Sequence, residues 1–162
     1  NITALLGALP AQLPAGRVWS QCHSLSFDVS VWEIFGALLG GGRLVVVPEP
    51  VVGSPHELRE LLIGEHVEVL TQTPSAAAML PAAGLESVTL VVAGEACPTG
   101  LVDRWAPGRV MLNAYGPTET TVYAAISAPL TPGEPVVPIG VPVAGAALLV
   151  LDGWLRPVPV GV

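Results

Sequence analysis

The densest chemistry of the chain lies in NAYGPTETT, residues 113–121. Asn113 offers both a donor and an acceptor, and Tyr115 offers a flat ring to stack on another. Gly116-Pro117 makes a tight turn. The hydroxyl of Thr118 beside the carboxylate of Glu119 suits a phosphate with Mg²⁺, an ion usually held by one or two carboxylates and the substrate's own phosphates. A Gly-Pro turn with threonine caps accounts for the same letters.

A second cluster is SFDVSVWEIFG, residues 26–36. Asp28 stands where a loop becomes a helix, the ordinary place of an N-cap. Placed together on a cleft, Asp28, Val29 and Trp32 would instead suit a ligand with an ammonium group and a hydrophobic side chain. Trp32 as plain core is the alternative. In VVAGEA, residues 91–96, Gly94 permits close backbone approach to a ligand, and a bare turn would be written identically.

His23, His56 and His66 have no ligand spacing with each other or with Cys22 and Cys97. Cys22 and His23 are adjacent on a strand and point to opposite faces, which disfavours a thiol–imidazole pair.

The surrounding chain is 162 residues long, 51% hydrophobic and 12% charged, with mean hydropathy +0.64. That length suits one core. Gly, Pro and isolated charges interrupt every apolar run before the ~18–20 residues of a membrane span, and the N-terminal residues carry no secretory signal pattern. Thirteen acids face six bases, all arginine, so no basic stripe points to nucleic acid. The absence of lysine removes Schiff-base chemistry and the phosphate-loop lysine. Two cysteines suit a reducing, cytoplasmic setting better than a disulfide framework.

Strand-like runs at Val18–Cys22, Arg43–Val47, Val67–Thr71, Val88–Ala93 and Val110–Asn113 alternate with helical patterns. That alternation predicts a flavodoxin-like, doubly wound parallel α/β sheet with helices on both faces. Asp28–Leu39 has helical spacing through Val31, Ile34, Phe35 and Leu38 and stops at Gly40-Gly41-Gly42. Ser54-Pro55-His56-Glu57 reads as a capping box opening a helix to about Glu65. Thr73-Pro74 opens another helix, and Pro98 or Thr99 a fourth.

Tyr123–Ile126 and Ala147–Leu151 read as strands of a small C-terminal β extension, with an irregular Pro/Gly-rich crossing at residues 127–145. The predicted organisation is a subdomain over 1–126 and a crossing segment with truncated extension over 127–162, in one structural unit. Both ends read as cut. In such sheets ligands sit beyond the carboxyl ends of the strands, and the polar residues gather on that rim.

Taken together, FDVSVWEIFGALLGGGRLVVVP, TQTPSA, VVAGEA, NAYGPTETT and IGVPVAGAALLVLD resemble the amino-acid-activating adenylation domains of nonribosomal peptide synthetases, within the adenylate-forming enzyme superfamily. The resemblance covers almost the whole chain. It implies joining of an amino acid and Mg·ATP into an aminoacyl-adenylate, followed by loading onto a carrier-protein thiol. It implies that Tyr115 stacks on adenine, Asn113 meets the adenine amino group, and Gly94, Glu95, Ala96 and Gly116 build that wall. Thr118 would meet the α-phosphate, Glu119 would hold Mg²⁺, and Asp28 would pair with the substrate ammonium.

The same resemblance maps a selectivity pocket onto Asp28, Val29, Trp32, Thr71, Val91, Ala93, Ala114, Val122 and Tyr123. Its lining is apolar beyond Asp28, so a charged side chain would be buried unpaired. Trp32 with Ala93 and Ala114 resembles pockets for phenylalanine-like substrates, with a branched aliphatic substrate second; Val29 and Tyr123 are bulky for that role. The family's phosphate loop with its lysine, its ribose-binding aspartate and its catalytic lysine are absent from these residues, so the chain is expected to be inactive alone. Two other readings stand beside this one. One is a stand-alone nucleotide- or ligand-binding module; the other is part of an enzyme activating acyl or aryl acids, in which Asp28 would lack a partner.

Overall fold

The computed structural model describes residues 1–7, 11–159 and 161. Its centre is a seven-stranded sheet in the order β2-β1-β3-β4-β5-β6-β7. Strands β1 (Val18–Gln21), β2 (Arg43–Val46), β3 (Val69–Gln72), β4 (Thr89–Val92) and β5 (Met111–Tyr115) are parallel. The 2-1-3-4-5 order is the flavodoxin-like one. Helices α1 (Ile2–Gly7), α2 (Val29–Leu38), α3 (Glu49–Val52), α4 (Pro55–Gly64), α5 (Pro74–Met79) and α6 (Thr99–Trp105) complete the layers.

Side-chain alternation along the central strands fills two cores. Leu70, Leu90, Val92 and Met111 face one way, packing with Leu58 and Leu62 of α4, Ala77 of α5, and Leu101 and Trp105 of α6. Val69, Val91, Leu112 and Ala114 face the other way, against Leu5 of α1 and Trp32 and Ala37 of α2. Because successive residues of a strand point to opposite faces, the end of β5 serves both sides at once.

Several sequence expectations need correction. The stripe Val31, Ile34, Phe35 and Leu38 is not the buried face of α2: Phe35 and Leu38 are exposed, and Trp32, Glu33, Gly36 and Ala37 are buried. The reason is Gly36, where an added Cβ would lie 2.7 Å from the Trp19 ring. That missing side chain lets α2 lie flat on β1. Helix α4 does start at Pro55, but Ser54 makes no side-chain cap bond. Thr73, by contrast, accepts from the Ala76 N–H at 3.2 Å.

The C-terminal extension also differs. Strand β6 is only Ala125–Ile126, and it pairs antiparallel with β5 in the main sheet rather than in a separate one. Residues Val141–Pro142, within the segment read as irregular, form β7 against β6. No strand forms at Ala147–Leu151, where Leu151 makes an isolated bridge to Pro157. Gly140 makes the β6–β7 pairing possible, since a Cβ there would sit 1.9 Å from the Ile126 carbonyl oxygen.

Candidate functional site

The carboxyl rim of the sheet carries the polar residues. Beyond β4 and β5 lies a cavity of about 490 Å³ lined by Gly94, Glu95, Ala96, Asn113, Tyr115 and Gly116, with Cys97, Ala114, Pro117, Val137 and Ile139 completing it. Its size is that of a small-molecule or cofactor site. Asn113 is buried in the middle of β5, opposite Val92 in register. Its Nδ2 donates to the Pro138 carbonyl at 3.0 Å, and its backbone N–H donates to Ser127 Oγ at 2.9 Å. Tyr115, two residues on and of the same strand parity, is 50% exposed and free to stack.

Gly94 turns the chain at φ +85, a conformation that favours glycine. Glu95 lines the cavity, but its carboxylate is held by Ser75: it accepts from the Ser75 hydroxyl and from the Ser75 N–H. These two bonds, the hydroxyl's first, hold its carboxyl below the usual range. Glu95 therefore braces the wall against the start of α5.

After β5 the chain makes a short 3₁₀ turn, Thr118–Thr120. Thr118 and Asp28 share a hollow of about 550 Å³ with Thr121 and Val122. Glu119 is exposed and faces a neighbouring hollow of about 330 Å³ with Thr120, Thr121 and Tyr123. Among the described residues no group of three or more His, Cys, Asp or Glu is gathered for a metal. One carboxylate beside a hydroxyl still fits Mg²⁺, which keeps most of its shell for phosphate and water.

Asp28 occupies the N-cap position of α2 yet makes no side-chain cap bond. Its Oδ2 is buried with no hydrogen-bond partner among the described residues. Buried carboxylate oxygens are normally satisfied, which sets this atom apart from the other acids of the rim.

The apolar set gathers on the α2 side of the sheet. Trp32 Nε1 donates to Thr71 Oγ1 at 3.2 Å. Val29, Val91, Ala93, Ala114, Val122 and Tyr123 pack in the same cluster as Trp32. Tyr123 lies edge-on to Trp32, ring centroids 5.0 Å apart at 85°. Its hydroxyl is buried and without a partner among the described residues, and that burial pushes the phenol further up from its ordinary range.

All of residues 1–162 match the AMP-binding enzyme family. The chain belongs to that family. It is 73% identical over 162 residues, its whole length, to the isonitrile lipopeptide synthase of Mycobacterium tuberculosis (strain ATCC 25618 / H37Rv), of which it spans 6%. It is 37% identical, again over its whole length, to the dimodular nonribosomal peptide synthase of Bacillus subtilis (strain 168), of which it spans 8%.

Among solved structures it superposes with TM-score 0.84 and 29% identity on a four-domain nonribosomal peptide synthetase bound to AMP and glycine, covering 98% of this chain and 12% of that one. A second structure, of a synthetase protein containing adenylation and carrier (PCP) domains and bound to a vinylsulfonamide inhibitor, gives 0.83 at 28% identity, covering 98% of this chain and 29% of that one. The chain thus spans a small part of each relative.

One residue of this chain escaped the sequence reading. Glu33 is fully buried. It accepts from the N–H groups of Cys22 and His23 at 3.3 and 3.2 Å, and its Oε1 lies 2.9 Å from His23 Nδ1. The carboxylate thereby anchors the β1–α2 loop that presents Asp28. An acid inside an otherwise apolar helix was the available signal. His56 and His66 lie exposed, and no described contact links either to the site.

Proposed function

We propose that these residues are the substrate-selecting side of an amino-acid adenylation enzyme, with part of its nucleotide site. The reaction is amino acid plus ATP to aminoacyl-AMP and pyrophosphate, followed by transfer to a carrier-protein thiol. The observation that carries this reading is the partnerless, buried Oδ2 of Asp28. An α-ammonium group would satisfy it with a charge-assisted bond, whereas an acyl or aryl acid would leave it unpaired.

The division of labour follows from strand parity. Asn113 and Tyr115, with the Gly94–Ala96 turn and Gly116, form the adenine wall. Asn113 already spends an amide N–H on Pro138, and its oxygen would accept from the adenine amino group. Ala114, on the opposite face of the same strand, joins Val29, Trp32, Thr71, Val91, Ala93, Val122 and Tyr123 around the amino-acid side chain. Thr118, in the hollow it shares with Asp28, would meet the α-phosphate.

Glu119 would contribute one ligand to Mg²⁺, which neutralises phosphate charge when bound. Residues 1–126 hold these parts, and 127–162 close the nucleotide cavity through Val137 and Ile139 in the same unit.

The substrate is an uncharged, hydrophobic amino acid, phenylalanine-like first and branched aliphatic second. The lining offers no counter-charge beyond Asp28, and a buried unpaired charge is costly. Amino-acid-dependent ATP–pyrophosphate exchange by a complete adenylation domain carrying these residues tests the reading. Exchange with a hydrophobic amino acid that collapses in Asp28→Ala supports it. Exchange only with acids lacking an amino group overturns it.

A further inference from the structure

The proposed selectivity set is gathered but shut. Trp32 is 2% exposed, Tyr123 3% and Val91 1%, and the three hollows at the rim are bordered by Ala114, Tyr123, Asp28 and Val122 but do not reach Trp32, Thr71 or Val91. The phenol of Tyr123 packs edge-on against Trp32, ring centroids 5.0 Å apart.

Two observations mark this closed arrangement as costly. The Tyr123 hydroxyl is buried with no partner among the described residues, and an unsatisfied buried hydroxyl costs the closed state its desolvation penalty. The chain that delivers the ring is also strained. Thr121 and Val122 both hold positive φ, 71 and 66, which is a genuine outlier for β-branched residues. The Tyr123 N–H donates to the Thr121 carbonyl at 2.8 Å across Val122, giving a three-residue turn of the rare, strained hand. Such strain persists only where surroundings hold it, and it concentrates at ligand clamps and switches. Gly116 is part of that hold, because a Cβ there would lie 2.6 Å from the Tyr123 Cα.

We propose that Tyr123 is a displaceable plug of the side-chain pocket. Its ring occupies the side-chain pocket until an aromatic substrate replaces its contact with Trp32, and the Thr121–Val122 turn is the hinge that lets it leave. A side chain too small to restore that contact does not displace it, so the plug screens by size and shape. This inference rests on the amino-acid reading of the site. Its energetic content is that apparent affinity is reduced by the fraction of molecules already open.

The experiment measures ATP–pyrophosphate exchange of the complete synthetase across the proteinogenic amino acids. The proteins are wild type, Tyr123→Ala, Tyr123→Phe and Asp28→Ala. Tyr123→Ala removes the plug and is expected to lower KM for the aromatic substrate about tenfold, from the open-fraction relation. Tyr123→Phe keeps the ring but removes the stranded hydroxyl, so it steadies the closed state and is expected to raise that KM about threefold.

Opposite movement of the two variants is the signature, and a lining residue with a fixed ring would not produce it. Should Tyr123→Ala fail to fold, an unchanged or lowered KM in Tyr123→Phe still overturns the plug. So does a wild type that activates only glycine- or alanine-sized substrates, since the ring would then be permanent lining. Exchange with no amino acid, or exchange indifferent to Asp28→Ala, defeats the amino-acid reading and the plug with it.

Discussion

Two acids at the start and in the first turns of α2 have opposite fates, and the difference separates binding from support. Glu33 is satisfied by two backbone N–H groups and His23, while Asp28 keeps one buried oxygen unpaired. Losing a hydrogen bond to a charged group is worth about 1.5–3 kcal/mol. Asp28→Asn in the complete enzyme should therefore lower kcat/KM for the amino acid roughly 10- to 150-fold, with KM for ATP little changed.

The two thiols separate in the same way. Burial first, and the Glu33 carboxylate second, push Cys22 from its ordinary 9.0 up to about 12, whereas Cys97 is raised by burial alone. A thiol reagent at pH 8 should label Cys97 first and Cys22 only as the chain opens; equal rates would contradict this. Because the folded Cys22 thiol holds its proton past the value at which the unfolded one releases it, its contribution to stability is complete below about pH 9. It is lost as pH rises toward 12. Denaturant midpoints measured across that window test the sign.

At the residue scale the sequence marked the rim of the sheet where a polar letter interrupts apolar runs, as at Asn113, Tyr115, Thr118 and Asp28, which line its hollows. Glu33 stayed hidden because its partners, Cys22 and His23, meet it only after β1 and α2 pack.

At the scale of elements, the parallel core was written plainly. The strands are short, mostly apolar runs separated by helices, of which α3, α4 and α5 carry proline in the first turn, and the structure moves strand ends by a residue or two. The face of α2 was not legible, because apolar spacing named Phe35 and Leu38 while the Trp19–Gly36 contact chose the other side. Spacing records which residues are apolar and not which of them a distant ring will accept. Nor was β7, a two-residue pairing made by a glycine that lets two backbones touch.

Gly140→Ala should be severe for that reason. The Cβ collides with Ile126 backbone and the residue sits at φ +89, so overpacking and strain together should cost about 2–4 kcal/mol. The loss should appear as a lower denaturant midpoint with faster amide exchange in β6 and β7. A change confined to within about 0.5 kcal/mol, the range of an ordinary surface substitution, would contradict the role assigned to this glycine.

For the whole molecule, the outer face of α2 and its approaches leave Leu25, Phe27, Phe35, Leu38 and Leu39 exposed, with Val46 on the edge strand β2. An apolar surface of this kind promotes association. The 162-residue chain by itself should form concentration-dependent oligomers, and Phe35→Ser with Leu38→Ser should reduce them in sedimentation experiments. A monomer at all concentrations would count against this.

The chain alone should also fail to make adenylate, since it contains no lysine to meet the phosphates. Measurable exchange by the isolated chain would contradict that.

The central claim is that these residues choose the amino acid. Its most direct measurement places them in a complete adenylation domain of different preference and reads amino-acid-dependent pyrophosphate exchange, with Asp28→Ala beside it. The account predicts that preference moves to a hydrophobic amino acid, aromatic first, and that Asp28→Ala abolishes it. A folded chimera that keeps its host's preference would contradict it.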